Sequence, residues 1–231
     1  MSRDFVARPR PRCPTCKKPP KWCLCGAAVE IACPLAIDVL MHYCEAFRPS
    51  STGHLINRLF PDSRQFLAGG GRQIDRAAIQ RPDRELWILH PQGKLPPAEA
   101  RPEDTQILLI DGSWKQASDL LRSMPGWGRM VRLPMAGESR FHLRAQQGDH
   151  QFSTVEALLF MLEFFGLENA RAQLDLQFEL HVYAGLLARG KQAEARRYLE
   201  DSPVAQAYPE YIARWDPKWT ATRTNSTGTA G

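Results

Sequence analysis

Four of the six cysteines stand within thirteen residues, as Cys13-Pro-Thr-Cys16 and Cys23-Leu-Cys25. Two paired-thiolate clips on so short a segment suit a tetrahedral Zn²⁺, whose Zn–S bonds of about 2.3 Å need four sulfurs converging on one point. The first C-x-x-C also fits a redox motif, but no strand–helix pattern follows it, and a reducing compartment disfavours disulfides. With sulfur at all four positions the ion has no open place for substrate, so its role is structural. Four thiolates and the ion sum to about −2, and the surrounding lysines and arginines offset that charge. Cys33 and Cys44 remain, and read as small buried apolar residues.

A second set of residues could do acid–base or binding work. Asp111-Gly112-Ser113 falls between an apolar run and an amphipathic one, which leaves two readings open. Asp111 is a proton acceptor whose basicity burial would raise, or Asp111 or Ser113 is simply a helix cap. Ser51 and Thr52 precede another short helical run, and offer hydroxyls and amides to a carboxylate or else ordinary capping. Trp114 packs on a bound planar group or on its own helix's apolar face. Arg140 and Arg144 lie in a segment, 129–144, with four arginines and one glutamate. They suit phosphate contacts, unless Arg140 pairs internally with Glu156 or Glu45. His42, Glu45 and Arg48 fit a polar network lining the same pocket.

These residues need a scaffold, and the apolar patterning predicts one. Residues 35–41 (LAIDVLM), 85–90 (ELWILH), 105–110 (TQILLI) and 129–134 (RMVRLP) read as strands. Helices are expected over 53–60, 114–124, 154–165 and about 168–199, the third opened by Ser153 or Thr154 with Glu156 in its first turn. Gly69-Gly70-Gly71 reads as a flexible turn. Strands alternating with helices predict an α/β fold with a mostly parallel sheet flanked by helices. Ligands in such sheets sit beyond the strands' carboxyl ends, here His90-Pro91, Asp111–Trp114 and Leu133-Pro134.

Composition sets the outer bounds. A chain of 231 residues with 43% hydrophobic and 24% charged residues is an ordinary globular balance, favouring one domain with an appendage. No apolar run approaches the roughly 18 residues of a membrane span, and no signal-peptide core follows the basic start, so a cytoplasmic protein without membrane attachment is expected. Residues 1–21 carry Arg3, Arg8, Arg10, Arg12, Lys17, Lys18 and Lys21 against Asp4 alone, more than the whole chain's net +5. Such an extended basic arm is a phosphate-contacting element or a solvated tail. No G-x-G-x-x-G, Walker loop or H-E-x-x-H is present, which argues against dinucleotide oxidoreductases and P-loop enzymes. The expected organisation is an arm and zinc-binding element over 1–30, a catalytic domain over 31–215, and a disordered tail over 216–231.

Several segments together resemble the DTW-domain family. Asp111-Gly-Ser-Trp114 resembles its D-x-T-W signature, with Ser113 for threonine. His42-Tyr-Cys-Glu45-Ala-Phe-Arg48 followed by Ser51-Thr52-Gly53 resembles its H-x-x-E-x-x-R segment and polar turn, with Ser51 where asparagine is usual. Ser139-Arg140-Phe141 with Leu143-Arg144, Ser153-Thr154-Val155-Glu156-Ala157 and the cysteine head match in the same order. The resemblance implies a tRNA-uridine aminocarboxypropyltransferase, moving the 3-amino-3-carboxypropyl group of S-adenosylmethionine to uridine N3. It also implies a SPOUT-like fold, with a knot by analogy. On that reading Asp111 is catalytic. Ser51, Thr52, Pro91, Ser113, Trp114, Leu133 and Thr154 would hold S-adenosylmethionine, and His42, Arg48, Arg140 and Arg144 would meet tRNA. No obligate protein partner is implied. The rival readings are an RNA methyltransferase on the same cofactor and a non-catalytic zinc-dependent RNA-binding protein.

Overall fold

The computed structural model describes residues 11–72, 74–144 and 151–219. The start of the basic arm, residues 1–10, and the expected tail from 220 onward lie outside them. Five strands form one sheet: β1 (Ala36–His42), β2 (Arg64–Ala68), β3 (Glu85–Lys94), β4 (Thr105–Asp111) and β5 (Arg129–Val131). Their spatial order is β2-β1-β4-β3-β5, and every pairing is parallel. The two central strands are buried almost throughout, as a sheet covered on both faces requires. Alternation along them separates the faces. Ile37, Val39, Met41, Ile107 and Leu109 join a large core, whereas Leu40 and Leu108 join a smaller one.

The larger face is covered by α1 (Gly53–Leu59), α4 (Thr154–Phe164) and α5 (Glu168–Ala188). The smaller face is closed by α2 (Arg76–Ile79) and α3 (Trp114–Arg122), through Ile79 and Leu120. Three short helices follow α5: α6 (Gln192–Glu200), α7 (Val204–Ala207) and α8 (Pro209–Trp215). Among the described residues no helix is long and apolar enough to cross a membrane.

Several elements differ from expectation. The helix expected over 168–199 divides at Gly190, which takes a φ of 74°. The amides of Gly190 and Lys191 donate to the carbonyls of Leu187 and Leu186, a glycine-terminated helix end. β3 runs on past Pro91 to Lys94 through a bulge, in which Leu89 and Lys94 both pair with Val131. Glycine is required at position 93, where a Cβ would lie 2.5 Å from the Val131 carbonyl carbon. β5 stops at Val131, short of the expected 134. β2 is an edge strand of mixed polarity that apolar patterning did not reveal. Cys33 and Cys44 are half-buried rather than buried. Gly69, Gly70 and Gly71 all have positive φ, so the turn is a defined left-handed one. Asp216, placed in the expected tail, is buried and bonded twice to Arg196. The body therefore extends past 215.

Candidate active site

Chain direction creates a crevice. From β1 the chain leaves toward β2 on one side; from β4 it leaves toward β5 on the other. The carboxyl ends of these adjacent strands are therefore the topological switch point, with Met41 opposite Asp111. A cavity of about 710 Å³ opens there.

Asp111 lines this cavity as the last residue of β4 and is 3% exposed. Its Oδ2 accepts from Ser51 Oγ at 2.6 Å and its Oδ1 from Thr154 Oγ1 at 2.7 Å. Three distant segments thus converge on one carboxylate. Each has a local reason to be there. Gly53 opens α1 against the carboxylate, and a Cβ in its place would lie 2.7 Å from Oδ2. Thr154 is the first residue of α4, whose Ser153 cap and Glu156 form a reciprocal capping box. The Glu156 carboxylate also accepts from Ser139 Oγ and the Arg140 amide, tying the 139–140 segment to the same helix end. Of the two capping candidates, Ser113 caps α3, through its own box with Gln116. That leaves Asp111 unspent on capping.

Leu89, Pro91, Leu121, Leu133, Met135 and Phe141 are among the apolar parts of the walls. Polar and charged residues make up about half of the lining, including Arg48, Asp111, Arg132, Arg144 and several serines. His90 lines the wall, and burial pushes its imidazole below the ordinary value, toward the neutral form at pH 7. Trp114 also lines the cavity but is 45% exposed, so it forms part of the rim and not of the α3 core face.

Most expected residues are brought together. Thr52, Pro91, Asp111, Ser113, Trp114, Leu133 and Thr154 line the cavity, as do Arg48 and Arg144. Ser51 is buried beside Asp111 without being part of the lining. Arg48 and Arg144 both bond the fully buried Glu45 carboxylate. Two residues are not brought there. The His42 ring packs on Tyr43, 4.8 Å between centroids, and accepts from the Cys44 amide. Gly69 lies over it, since a Cβ there would be 2.7 Å from the ring. Arg140, expected at phosphates, turns inward. It makes two bonds to Glu179, at 2.8 and 2.9 Å, and its guanidinium lies over Tyr198. The phosphate expectation gives way to its alternative, an internal ion pair, but with Glu179 in place of Glu156 or Glu45. Sequence reasoning missed Arg132 and Phe152 in the lining. The arginine-rich stretch signalled the first; nothing signalled the second.

The cysteine head is the other site. The four sulfurs of Cys13, Cys16, Cys23 and Cys25 lie within 4.8 Å of one another. Cys13 Sγ lies 3.6 Å from Cys25 Sγ, and Cys16 Sγ 3.7 Å from Cys23 Sγ. Four sulfurs at tetrahedral corners, each about 2.3 Å from a metal, would be about 3.8 Å apart, so the set fits an ion. The head is no satellite. Leu24, Ala27 and Ile31 join the main core, and Trp22 packs edge-on against Trp215 of α8. Gln177 of α5 donates to the Ala27 carbonyl at 2.6 Å.

The chain is an α/β protein with a covered, all-parallel sheet, a cavity at the switch point and four cysteines placed so that they could hold a metal ion. The chain belongs to the DTW domain family, whose pattern it matches over residues 10–185. It is also similar to mouse (Mus musculus) tRNA-uridine aminocarboxypropyltransferase 2, with 28% identity over 179 residues. That match covers 71% of this chain and 59% of the mouse protein, so the chain spans little more than half of its relative. No solved structure matches it.

Proposed function

We propose that the protein is a tRNA-uridine aminocarboxypropyltransferase using S-adenosylmethionine, with Asp111 at its reacting centre. The observation that carries this reading is the Asp111 carboxylate, fixed by a hydroxyl on each oxygen at a cavity wall, in a chain of this family. When bound, S-adenosylmethionine supplies a sulfonium whose methionine γ-carbon accepts the uridine N3 electron pair, the C–S bond breaking to leave methylthioadenosine. The chain's part is to position and to handle one proton. Uridine N3 must lose its hydrogen as the N–C bond forms. Each Asp111 oxygen retains acceptor capacity beyond its hydroxyl bond, enough to orient or take that hydrogen. Ser51 and Thr154 keep the carboxylate from rotating, which is the precondition for in-line alignment. The apolar wall of Leu89, Pro91, Leu133 and Met135 excludes water from the reacting groups. Ser113, Trp114 and Thr52 complete the cofactor's surroundings in this reading.

Three arginines, Arg48, Arg132 and Arg144, line the cavity against the Asp111 carboxylate and Glu45, which Arg48 and Arg144 share, and this excess of positive charge favours an anionic substrate. We assign them to tRNA phosphates or to the methionine carboxylate. The metal of the head is zinc in this reading, held by Cys13, Cys16, Cys23 and Cys25. The SPOUT-like path and its knot belong to the same proposal, supported by the all-parallel sheet with β4 inserted between β1 and β3.

The test is nucleoside mass spectrometry of tRNA incubated with the protein and S-adenosylmethionine. The expected products are an aminocarboxypropyl-uridine and methylthioadenosine. A methylated nucleoside with S-adenosylhomocysteine would instead indicate a methyltransferase. Turnover and cofactor binding unchanged by Asp111→Ala would refute the site.

A further inference from the structure

The cysteine head is linked to the Asp111 site by one buried side chain. Lys18 lies two residues beyond Cys16, and its carbonyl accepts from the Cys13 amide at 2.8 Å, closing the first cysteine knuckle. The side chain then runs inward and is 1% exposed. Its Nζ donates to the Pro49 carbonyl at 3.1 Å and lies 3.4 Å from Nε2 of His181, on α5. Gly185 of α5 makes room for it: a Cβ there would lie 3.0 Å from Nζ. Among the described residues no carboxylate forms an ion pair with Lys18. Taking this amine out of water carries a desolvation cost, offset by the Pro49 carbonyl and the His181 ring that it meets.

Pro49 begins the segment that reaches Asp111. Ser50 Oγ accepts from Arg144, Ser51 Oγ donates to Asp111, and Thr52 lines the cavity. The path from sulfur to carboxylate is therefore Cys16, Lys18, Pro49, Ser51, Asp111. We propose that Lys18 is a positioning residue that couples metal occupancy of the cysteine head to the seating of residues 49–52 against Asp111. A metal would lock the 13–18 knuckle, adding to the backbone bonds between Cys13 and Lys17 and between Cys13 and Lys18, and so would aim the lysine. The inference rests on the head holding zinc and on the Asp111 cavity binding S-adenosylmethionine.

Hydrogen–deuterium exchange on the full chain tests it, using zinc-loaded wild type, zinc-loaded Lys18→Met, and wild type stripped by a chelator. Zinc content and S-adenosylmethionine affinity are measured on the same samples. Lys18→Met is expected to keep about one zinc per chain while peptides over 49–55 exchange about tenfold faster and cofactor affinity falls about tenfold. Peptides of β1 and α5 should not change, which separates positioning from general support of the fold. Chelation of wild type should also expose 49–55. Protection of 49–55 equal to wild type in Lys18→Met, or exchange rising alike through β1 and α5, overturns the proposal. Should that variant fail to fold, protection of 49–55 surviving zinc removal overturns it. A wild type without zinc does so too. If zinc-loaded wild type binds no S-adenosylmethionine, the proposed function fails while the exchange comparison still judges the coupling.

Discussion

Asp111 shows how far single residues can be read from sequence. Its type and its place after an apolar run left cap and proton acceptor both open, and only the family resemblance favoured the second; the structure settles the capping half, since Ser113 caps α3. Ser113 and Gln116 take the cap, and Ser51 and Thr154 take the carboxylate. Those two partners lie 60 and 43 positions away in the chain, and no local pattern encodes such pairing. Replacing Asp111 with asparagine keeps the shape and removes the charge. Turnover should fall by about 10²–10⁴-fold, with a much smaller change in cofactor affinity, read from single-turnover kinetics beside calorimetry. Ser51→Ala and Thr154→Ala should each cost less, and the double variant less than the product of the two, because both act on one carboxylate. Arg140 was the instructive error. Its charge suggested a phosphate, but the buried Glu179 of α5 holds it more closely than solvent would.

At the scale of elements, the strands with continuous apolar runs were legible and the ones without were not. The central pair, β1 and β4, is apolar on both faces, whereas β2 is a short edge strand of two polar residues, Arg64 and Gln65, followed by Phe66, Leu67 and Ala68. What holds β2 is a buried charge. Asp38 of β1 is fully buried and accepts from Arg64 of β2, from Arg81 and from Gln106. Burial alone would raise its carboxyl; the Arg81 and Arg64 guanidiniums outweigh that and hold it below the usual value. A depressed folded value means this stability is full above the unfolded value of about 3.9 and is lost as pH falls through the lower folded one. Asp38→Asn should therefore destabilise at neutral pH, by about 3–5 kcal/mol as for a broken buried pair. It should also flatten the acid limb of a melting-temperature profile. A mutant profile parallel to wild type below pH 4 would contradict that account.

For the whole molecule, the expected separation of a zinc element from a catalytic body did not survive packing. Charge and cysteine spacing marked residues 1–30 as distinct, because a sequence shows where composition changes and not what a segment leans on. The head leans on later helices, through Trp22 on Trp215 of α8 and Ala27 on Gln177 of α5. Trp215 is buried and also touches Tyr183 and Tyr211. Trp215→Ala should cost about 3–5 kcal/mol, by loss of contact and the void left behind. It should also make zinc release to a chelator faster than in wild type, measured by a colorimetric zinc indicator. Unchanged release would mean that the head is self-sufficient.

That clasp of α8 on the head has an implication for biogenesis. Trp215 follows Cys25 by 190 positions, so at about 5–20 residues per second roughly 10–40 s separate their emergence from the ribosome. Throughout that interval the nascent head lacks the α8 side of its packing. An ion captured early would guard the four thiols from oxidation until Trp215 arrives beside Trp22.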